Sequence, residues 1–545
     1  MFSRNKIAGQ FFLLCKRFLT YIVWLTLLGV AVSALGVQFA LSSKEVIDVA
    51  TGQAIGNIWK SILILAILVI LQLILQILTS KIYVSAAGKI EIYLRNELFS
   101  DLLMKKVSEF EKQPTGELIN RLNGDVRVVV SAVVDIIPSA IALFVRLGLS
   151  VVSLFILDRE LAILCIVAAP LVFLFAGLFR KKLKTLHKAY QQCEGKIRSF
   201  MIEAFNGIYV IKTFVKEVFF TEKLNKLQNE GFALRKKKND FSIMTSTAFF
   251  VAVTFGYYAA LGWGAVKISK GLMTFGTLTA VLELIGQIES PIRNISSLVP
   301  QWFAASASLE RIDELREMES DKPAAEQSEL SDWKSIDFSC VSFKYEEISI
   351  LDNFSLSVPR GSIVTIIGES GIGKSTLFKL LLGFIKADSG EIELVKKDGT
   401  KCALDSGTRR MFAYVPQVNL LMSGTIAQNI AFGNPVNYEK LLSCAKQAEL
   451  EEVIRLLPRG FDTCLGENGL GLSEGEGQRV AIARALYCGA DVLLMDEGTS
   501  ALDSKTEKKI MENIKASGHT CIMISHRDGA FGISDTTVDL GRKNK

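Results

Sequence analysis

Four stretches of this chain, 18–41, 61–80, 161–179 and 241–266, carry no charged side chain. Two more, 136–157 and 271–299, are apolar but interrupted, the first by Arg146 and the second by Glu283, Glu289 and Arg293. A helix rising ~1.5 Å per residue needs about 20 apolar residues to cross ~30 Å of hydrocarbon. The pattern predicts six membrane-spanning helices, over 18–41, 58–83, 134–157, 161–182, 241–267 and 272–303. Buried core helices of a soluble protein do not account for runs of this length and number. Between the spans, 90–106 and 191–237 keep apolar residues at helical spacing with charges between them. This predicts helices that leave the membrane and run well beyond it. Pro114, within 109–116, marks a turn for the first such hairpin, and 205–216 is a candidate turn for the second.

Past residue 310 the period changes. The stretch 311–329 is charged and contains Lys322-Pro323-Ala324-Ala325, which reads as a helix end followed by a linker. Short β-rich runs at 336–343, 363–367, 411–415, 492–495 and 520–525 then alternate with helical segments. That alternation predicts an α/β domain with a substantially parallel sheet. The expected organisation is an all-α six-span domain over 1–312, a linker over 313–335 and an α/β domain over 336–545.

Composition sharpens this division. The chain has 545 residues, half of them hydrophobic, and the apolar excess sits in the first 310. The net charge of +6 comes from bases beside the spans: Arg4, Lys6, Lys16 and Arg17, the stretch 81–127, and 180–240. The segments 42–60 and 158–160 are nearly neutral, with Lys267 and Lys270 a mild exception on that side. Basic loops stay in the cytoplasm. The N-terminus, the long loops and the C-terminal half are therefore expected there, in a multi-pass protein of the cell (plasma) membrane. The bases suit anionic headgroups rather than nucleic acid. The first apolar run is too long for a cleavable signal peptide. Nine scattered cysteines without a C-x-x-C pair, and three histidines, predict neither a disulfide framework nor a structural zinc site.

Candidate chemistry begins at residue 368. Gly368, Glu369, Ser370, Gly371, Ile372, Gly373, Lys374, Ser375 and Thr376 spell G-x-x-x-x-G-K-[ST] plus one further hydroxyl residue, between an apolar strand at 363–367 and a helix at 377–384. Backbone N–H groups of such a loop, with the helix N-terminus behind them, cradle phosphates. Lys374 can reach the β and γ phosphates, and the Ser375 hydroxyl can ligate Mg²⁺. Further on, 491–497 is an apolar strand ending in Asp496 and Glu497. Asp496 can hold Mg²⁺ through its water shell, and Glu497 can act as general base on the attacking water. ATP and Mg²⁺ are thus the expected cofactors.

With these motifs in place, the chain resembles an ATP-binding-cassette exporter of type IV, a half-transporter with a six-span domain fused to one nucleotide-binding domain. The resemblance covers nearly the whole chain. In the cassette it rests on Tyr345, matching the adenine-stacking aromatic, and on Gln417, matching the glutamine that senses Mg²⁺ and the γ-phosphate. It rests also on 472–476 (Leu-Ser-Glu-Gly-Glu) at the signature position, on 500–503 (Ser-Ala-Leu-Asp) as the loop crossing to a partner, and on His526 as the switch histidine. The membrane half agrees through 116–126, 269–278, Pro291 and 306–312. The resemblance implies Glu497, His526 and Gln417 as catalytic residues. It places the 368–376 loop, Tyr345, Ser473, Gly475 and Asp503 around ATP, and Ser375, Gln417 and Asp496 around Mg²⁺.

Two departures bear on activity. Glu474 stands where glycine is commonest and Glu476 where glutamine is usual; an acid at 476 is expected to weaken nucleotide binding or slow turnover. Gly498 replaces the usual alanine and is expected to be neutral. In this family each ATP lies between one chain's phosphate loop and another's signature, so two chains are required. The intact Glu497 fits a homodimer, the preferred expectation, or a heterodimer. The implied function is ATP-driven export of a hydrophobic or amphipathic drug, peptide or lipid by alternating access. The alternatives are a cassette-regulated channel or non-transport regulator, and a lipid flippase within the exporter class. Leader-cleaving peptide export is disfavoured, since no protease domain precedes the first span. Arg146 and Glu283, charged within expected spans, are candidates for the substrate path; the competing reading is a mutual ion pair or a snorkelling arginine.

Overall fold

The structure is a computed structural model describing residues 2–321, 332–346, 348–369, 371–417, 420–466, 471–525 and 532–541; inside its helices the side chains of 2–8, 10, 164–181, 249, 253, 290–297 and 299 lie outside the description. Ser370, His526 and the Lys322–Ala325 stretch therefore lie outside the described residues. The chain divides into two compact units: one of residues 1–100 and 116–316, and one of 101–115 and 317–545.

The first unit is helical: α1 (Phe2–Arg17), α2 (Leu19–Ala50) and α3 (Ile58–Leu103), whose last three residues pass into the other unit. The short α4 (Val107–Glu111) belongs to the second unit. Then come α5 (Thr115–Asn120), α6 (Val126–Ser131), α7 (Ile137–Leu157), α8 (Arg159–Asn206), α9 (Ile208–Thr213), α10 (Glu217–Ser269) and α11 (Phe275–Glu317). Among the described residues four stretches are long and apolar enough to cross a bilayer: Leu19–Ala50, Ile58–Leu103, Thr115–Leu157 and Glu217–Ser269. The expected spans 161–182 and 272–303 fall in α8 and α11, which include side chains outside the description.

Length explains the extensions. α3 has 46 residues and α10 has 53; at ~1.5 Å per residue each is about twice as long as a bilayer needs. Ile62, Leu63, Ile67, Ile70, Ile74 and Ile77 of α3 are exposed, as lipid-facing side chains must be. Further along, Ile90, Leu94 and Leu98 repeat every four residues and bury against Val126, Val129, Val130, Leu309 and Ile312. α8 and α10 pair along their length, with Phe200 stacked on Phe220 at 5.8 Å. They are joined through α9, within the turn region expected at 205–216. Lys267, the basic exception in the sequence pattern, has partners: it bonds Asp158 at 2.7 Å and Glu160 at 2.9 Å. Asp158 also caps α8 by accepting from the backbone N–H groups of Glu160 and Leu161.

In the second unit β1 (Trp333–Tyr345) and β2 (Ile348–Pro359) pair antiparallel. β3 (Ile363–Ile367) leads into α12 (Lys374–Leu381), and β4 (Ser389–Lys396) and β5 (Lys401–Ala403) follow. Beyond them lie β6 (Phe412–Val415), β7 (Gly424–Thr425), α13 (Ile426–Ala431), α14 (Tyr438–Gln447), α15 (Glu451–Leu456) and β8 (Cys464–Leu465). The unit closes with α16 (Glu474–Cys488), β9 (Val492–Asp496), α17 (Ser504–Ala516), β10 (Thr520–Ile524) and β11 (Thr536–Asp539). A five-stranded parallel sheet has the order β11-β3-β10-β9-β6. A second sheet, β2-β1-β4-β5, is antiparallel, an element the sequence pattern did not predict. Side chains alternate across the parallel sheet. Val364, Ile366, Leu494 and Ile522 pack with α12 and the antiparallel sheet, while Leu493, Met495, Cys521 and Met523 pack with α13, α14, α16 and α17. Burial on both faces is why these strands read as continuous apolar runs.

α11 continues to Glu317 and β1 opens at Trp333, so the regular structure enters the 313–335 stretch from both ends. The segment holding α4 is tied to the cassette by Glu111, which bonds Lys379 of α12 at 2.8 Å, and by an ion pair of Lys106 with Glu319.

Candidate functional site

The site is built where the parallel strands end. After β3 the chain turns through 368–373 and enters α12 at Lys374. Gly373 has φ +110°, and a Cβ there would lie 2.2 Å from Ile350 Cγ2, so only glycine fits. Lys374 is buried and folds over its own loop, its ammonium donating to the Gly368 carbonyl at 2.7 Å. Thr376 is buried behind it, and Ser375 stays exposed.

β9 delivers the two carboxylates. Asp496 is buried at the strand end, where Tyr414 of β6 donates to it at 3.1 Å and the Ser375 hydroxyl bonds it as well. Burial pushes the Asp496 carboxyl above its ordinary range; the bonds from Ser375 and Tyr414 act against that, Glu497 adds to it, and Lys374 opposes it. Burial, then the Asp496 charge, raises the Tyr414 phenol. Glu497 has φ +50°, a conformation uncommon outside glycine, and its N–H donates to the Ile524 carbonyl at 3.1 Å. Gln417, just after β6, donates from Nε2 to Glu497 Oε2 at 2.9 Å. Loop lysine, hydroxyl, buried aspartate, glutamate and glutamine thus form one cluster. Tyr345, at the end of β1, is half-exposed with Phe343 edge-on at 4.9 Å, which leaves ring surface for stacking.

The 473–476 turn is organised differently. Ser473 caps α16: its hydroxyl accepts the Glu476 N–H at 3.4 Å, and the Glu476 carboxylate accepts the Ser473 N–H at 2.8 Å. This reciprocal pair is a capping box, so the unusual acid has a local structural role at a helix N-terminus. Gly475 is required by a close approach, since a Cβ would meet the Ala501 carbonyl at 2.9 Å. Asp503 caps α17 through the Lys505 and Thr506 N–H groups. Hydrogen bonds from the Thr506 side chain and backbone hold its carboxyl below the ordinary range. The expectation of neutrality at Gly498 needs correcting: a Cβ would lie 2.9 Å from Val415 Cγ1, so alanine requires Val415 to give way.

Sequence reading missed two buried polar links. Gln478 is wholly buried and ties α16 to the 500–501 loop, donating to Ser500 Oγ at 3.0 Å and accepting from Ala501 N–H at 2.9 Å. Glu507 of α17 is also wholly buried and accepts from Thr499 Oγ1 at 2.7 Å. The signal for Gln478 was its place beside the signature; a Glu on an otherwise charged helix gives none. In the helical unit Arg146 lies on α7 and Glu283 on α11. Among the described residues neither makes an ion pair or hydrogen bond, which removes the mutual-pair reading.

A phosphate-loop ATPase on a parallel sheet, joined in one chain to long membrane-spanning helices, defines an ATP-driven membrane transporter. Comparison with known proteins gives the family. The model of the ABC transporter transmembrane region matches residues 22–292, and that of the ABC transporter matches 351–500. An ATP-dependent lipid A-core flippase of Desulfotalea psychrophila is 31% identical over 443 residues, 79% of this chain and 76% of that protein. A putative export ATP-binding/permease protein of Rickettsia bellii is 31% identical over 498 residues, 89% and 85% of the two chains. The solved structure of a bacterial Atm1-family ABC exporter with ATP bound superposes with a TM-score of 0.75 at 23% identity, covering 97% of this chain and 95% of that one. The chain belongs to the ABC transporter family, as an exporter half-transporter with a membrane domain fused to its ATPase. It binds ATP, and its hydrolysis of ATP is coupled to transport.

Proposed function

We propose that two copies of this chain form a homodimeric exporter that moves a lipid or other amphipathic cargo outward by alternating access. The observation that carries the catalytic part is the 2.9 Å bond between Gln417 and Glu497, beside buried Asp496 and Lys374. It supports Glu497 as general base, held by Gln417 to take the proton from the water that attacks the γ-phosphate. The Gly368–Thr376 loop cradles the phosphates and Tyr345 stacks on adenine. His526, which lies outside the described residues, is assigned to the γ-phosphate by sequence alone. The Ser375 hydroxyl, the Asp496 carboxylate and the Gln417 amide carbonyl offer oxygen ligands, and the Ser375 hydroxyl already meets Asp496; this set fits a hard divalent cation. Mg²⁺ bound there neutralises charge on the β- and γ-phosphates.

Ser473, Gly475 and Asp503 are assigned to a nucleotide held by a partner chain, on the family resemblance at 472–476 and 500–503. The six spans, the cytoplasmic placement of the N-terminus and cassette, and the plasma membrane location rest on the apolar runs and basic loops. Lipid is the preferred cargo because several relatives are named lipid A-core flippases. Arg146 and Glu283 are assigned to the cargo path.

The test is Glu497→Gln in proteoliposomes. ATP binding should persist while hydrolysis falls by about 100-fold or more, as expected for loss of a general base. Unchanged ATPase would overturn the assignment.

A further inference from the structure

α11 presents two faces. Ala280, Val281, Leu284 and Ile288 are buried in the helical core. Phe275, Leu278, Leu282 and Glu283 share the other face at helical spacing, and with Ile47 of α2 and Tyr257 of α10 they line a cavity of about 710 Å³. That volume is in the range of sites for small organic ligands, ~300–1,000 Å³. The wall is apolar and aromatic except for two threonines and one acid.

The acid is Glu283. It is half-buried, and among the described residues it has neither an ion pair nor a hydrogen bond. Two basic groups of this unit do not neutralise it. Lys267 is bound to Asp158 and Glu160, and Arg146 does not pair with Glu283. Nearby Asp48 is itself acidic and accepts the Gly276 N–H at 2.9 Å. A carboxylate at membrane depth is costly, and such groups face cavities and pair with what enters them. The Tyr257 and Phe275 rings in the same wall favour positive charge over their faces.

We infer that this cavity binds a lipophilic cation, an apolar body carrying a protonated or quaternary nitrogen or an equivalent onium centre, with Glu283 as its counter-charge. The inference rests on the export reading and narrows its cargo class.

Tetraphenylphosphonium and tetraphenylborate have nearly the same shape and opposite charge, which makes them the probes. Equilibrium dialysis uses the full chain in phosphatidylcholine nanodiscs without ATP. Saturable tetraphenylphosphonium binding is expected, weakened at least about tenfold by Glu283→Gln, equivalent to ~1.4 kcal/mol, and retained by Glu283→Asp. Tetraphenylborate should not compete. Equal binding by Glu283→Gln, or equal competition by the borate, overturns the inference. If Glu283→Gln does not fold, carbodiimide labelling of wild-type Glu283, read by mass spectrometry, replaces it; tetraphenylphosphonium should slow the labelling, and an unchanged rate overturns the site. ATP-driven cation uptake into inside-out vesicles separates the two readings. Glu283-dependent binding without uptake keeps the site and removes export of this cargo. Uptake of another cargo without Glu283-dependent binding removes the site and keeps export.

Discussion

Gln478 uses both ends of its amide on the loop that follows Glu497. Truncation to alanine leaves the Ser500 hydroxyl and the Ala501 N–H without these bonds. Ser500 is exposed and can bond water instead, so the loss falls mainly on the half-buried Ala501 N–H, at about 1 kcal/mol. Gln478→Ala should therefore lower kcat while leaving the KM for ATP nearly unchanged, because the residue touches the loop and no nucleotide-binding side chain. Gln478→Glu keeps the acceptor and loses the donor, and should fall between. Steady-state ATPase kinetics test this; a KM effect larger than the kcat effect would refute it. At Glu476, glutamine satisfies the same capping box. Glu476→Gln should melt within about 0.5 kcal/mol of wild type. It should also bind ATP more tightly in the dimer, since it removes an acid from the facing site.

At the scale of elements, a polar contact within the helical unit joins the α5–α6 region to α11. A π-helical turn at Arg121–Asp125 sets two charged side chains toward α11. Arg121 bonds Glu314 at 2.8 Å, and Asp125 accepts from Ser308 at 2.8 Å and from Arg311 Nε at 2.8 Å. Burial raises the Asp125 carboxyl, but the bonds from Arg311 and Ser308, with the charges of Arg311 and Arg121, outweigh it and hold it below the ordinary 3.8. A depressed carboxyl stabilises the fold above its unfolded value, and this contribution is lost as pH falls through the folded value. Wild type should lose thermal stability progressively below pH 3.8, and Asp125→Asn should lack this part of the acid limb. At neutral pH Asp125→Asn should cost about 2–4 kcal/mol, less than a fully buried pair because Arg311 is half-exposed. Melting curves in detergent across pH decide it; an unchanged acid limb in the variant would contradict the assignment.

Legibility also differed between elements. β3, β9 and β10 stood out because burial on both faces demands unbroken apolar runs. β2 buries Leu351, Phe354 and Val358, a spacing of three and four that imitates a helix, and β1 carries irregular registers, so the antiparallel sheet gave no clean period. The long helices were legible from charge-free runs, but no local pattern marks the π-helical turn at Arg121–Asp125.

For the whole molecule, the phosphate loop could be read from sequence because its geometry is local to nine residues. The Gln417–Glu497 bond spans 80 positions, and only resemblance to a family pointed to that glutamine. Glu507 and Gln478 escaped because burial is a property of the fold. The central claim is that each ATP site is shared between two chains. One measurement tests it directly: ATPase of dimers purified through two tags, one chain carrying Lys374→Ala and the other Ser473→Ala. A shared site places both defects at one nucleotide and leaves the other intact, so the mixed dimer should recover about half the wild-type rate. A mixed dimer no more active than either variant alone would contradict it.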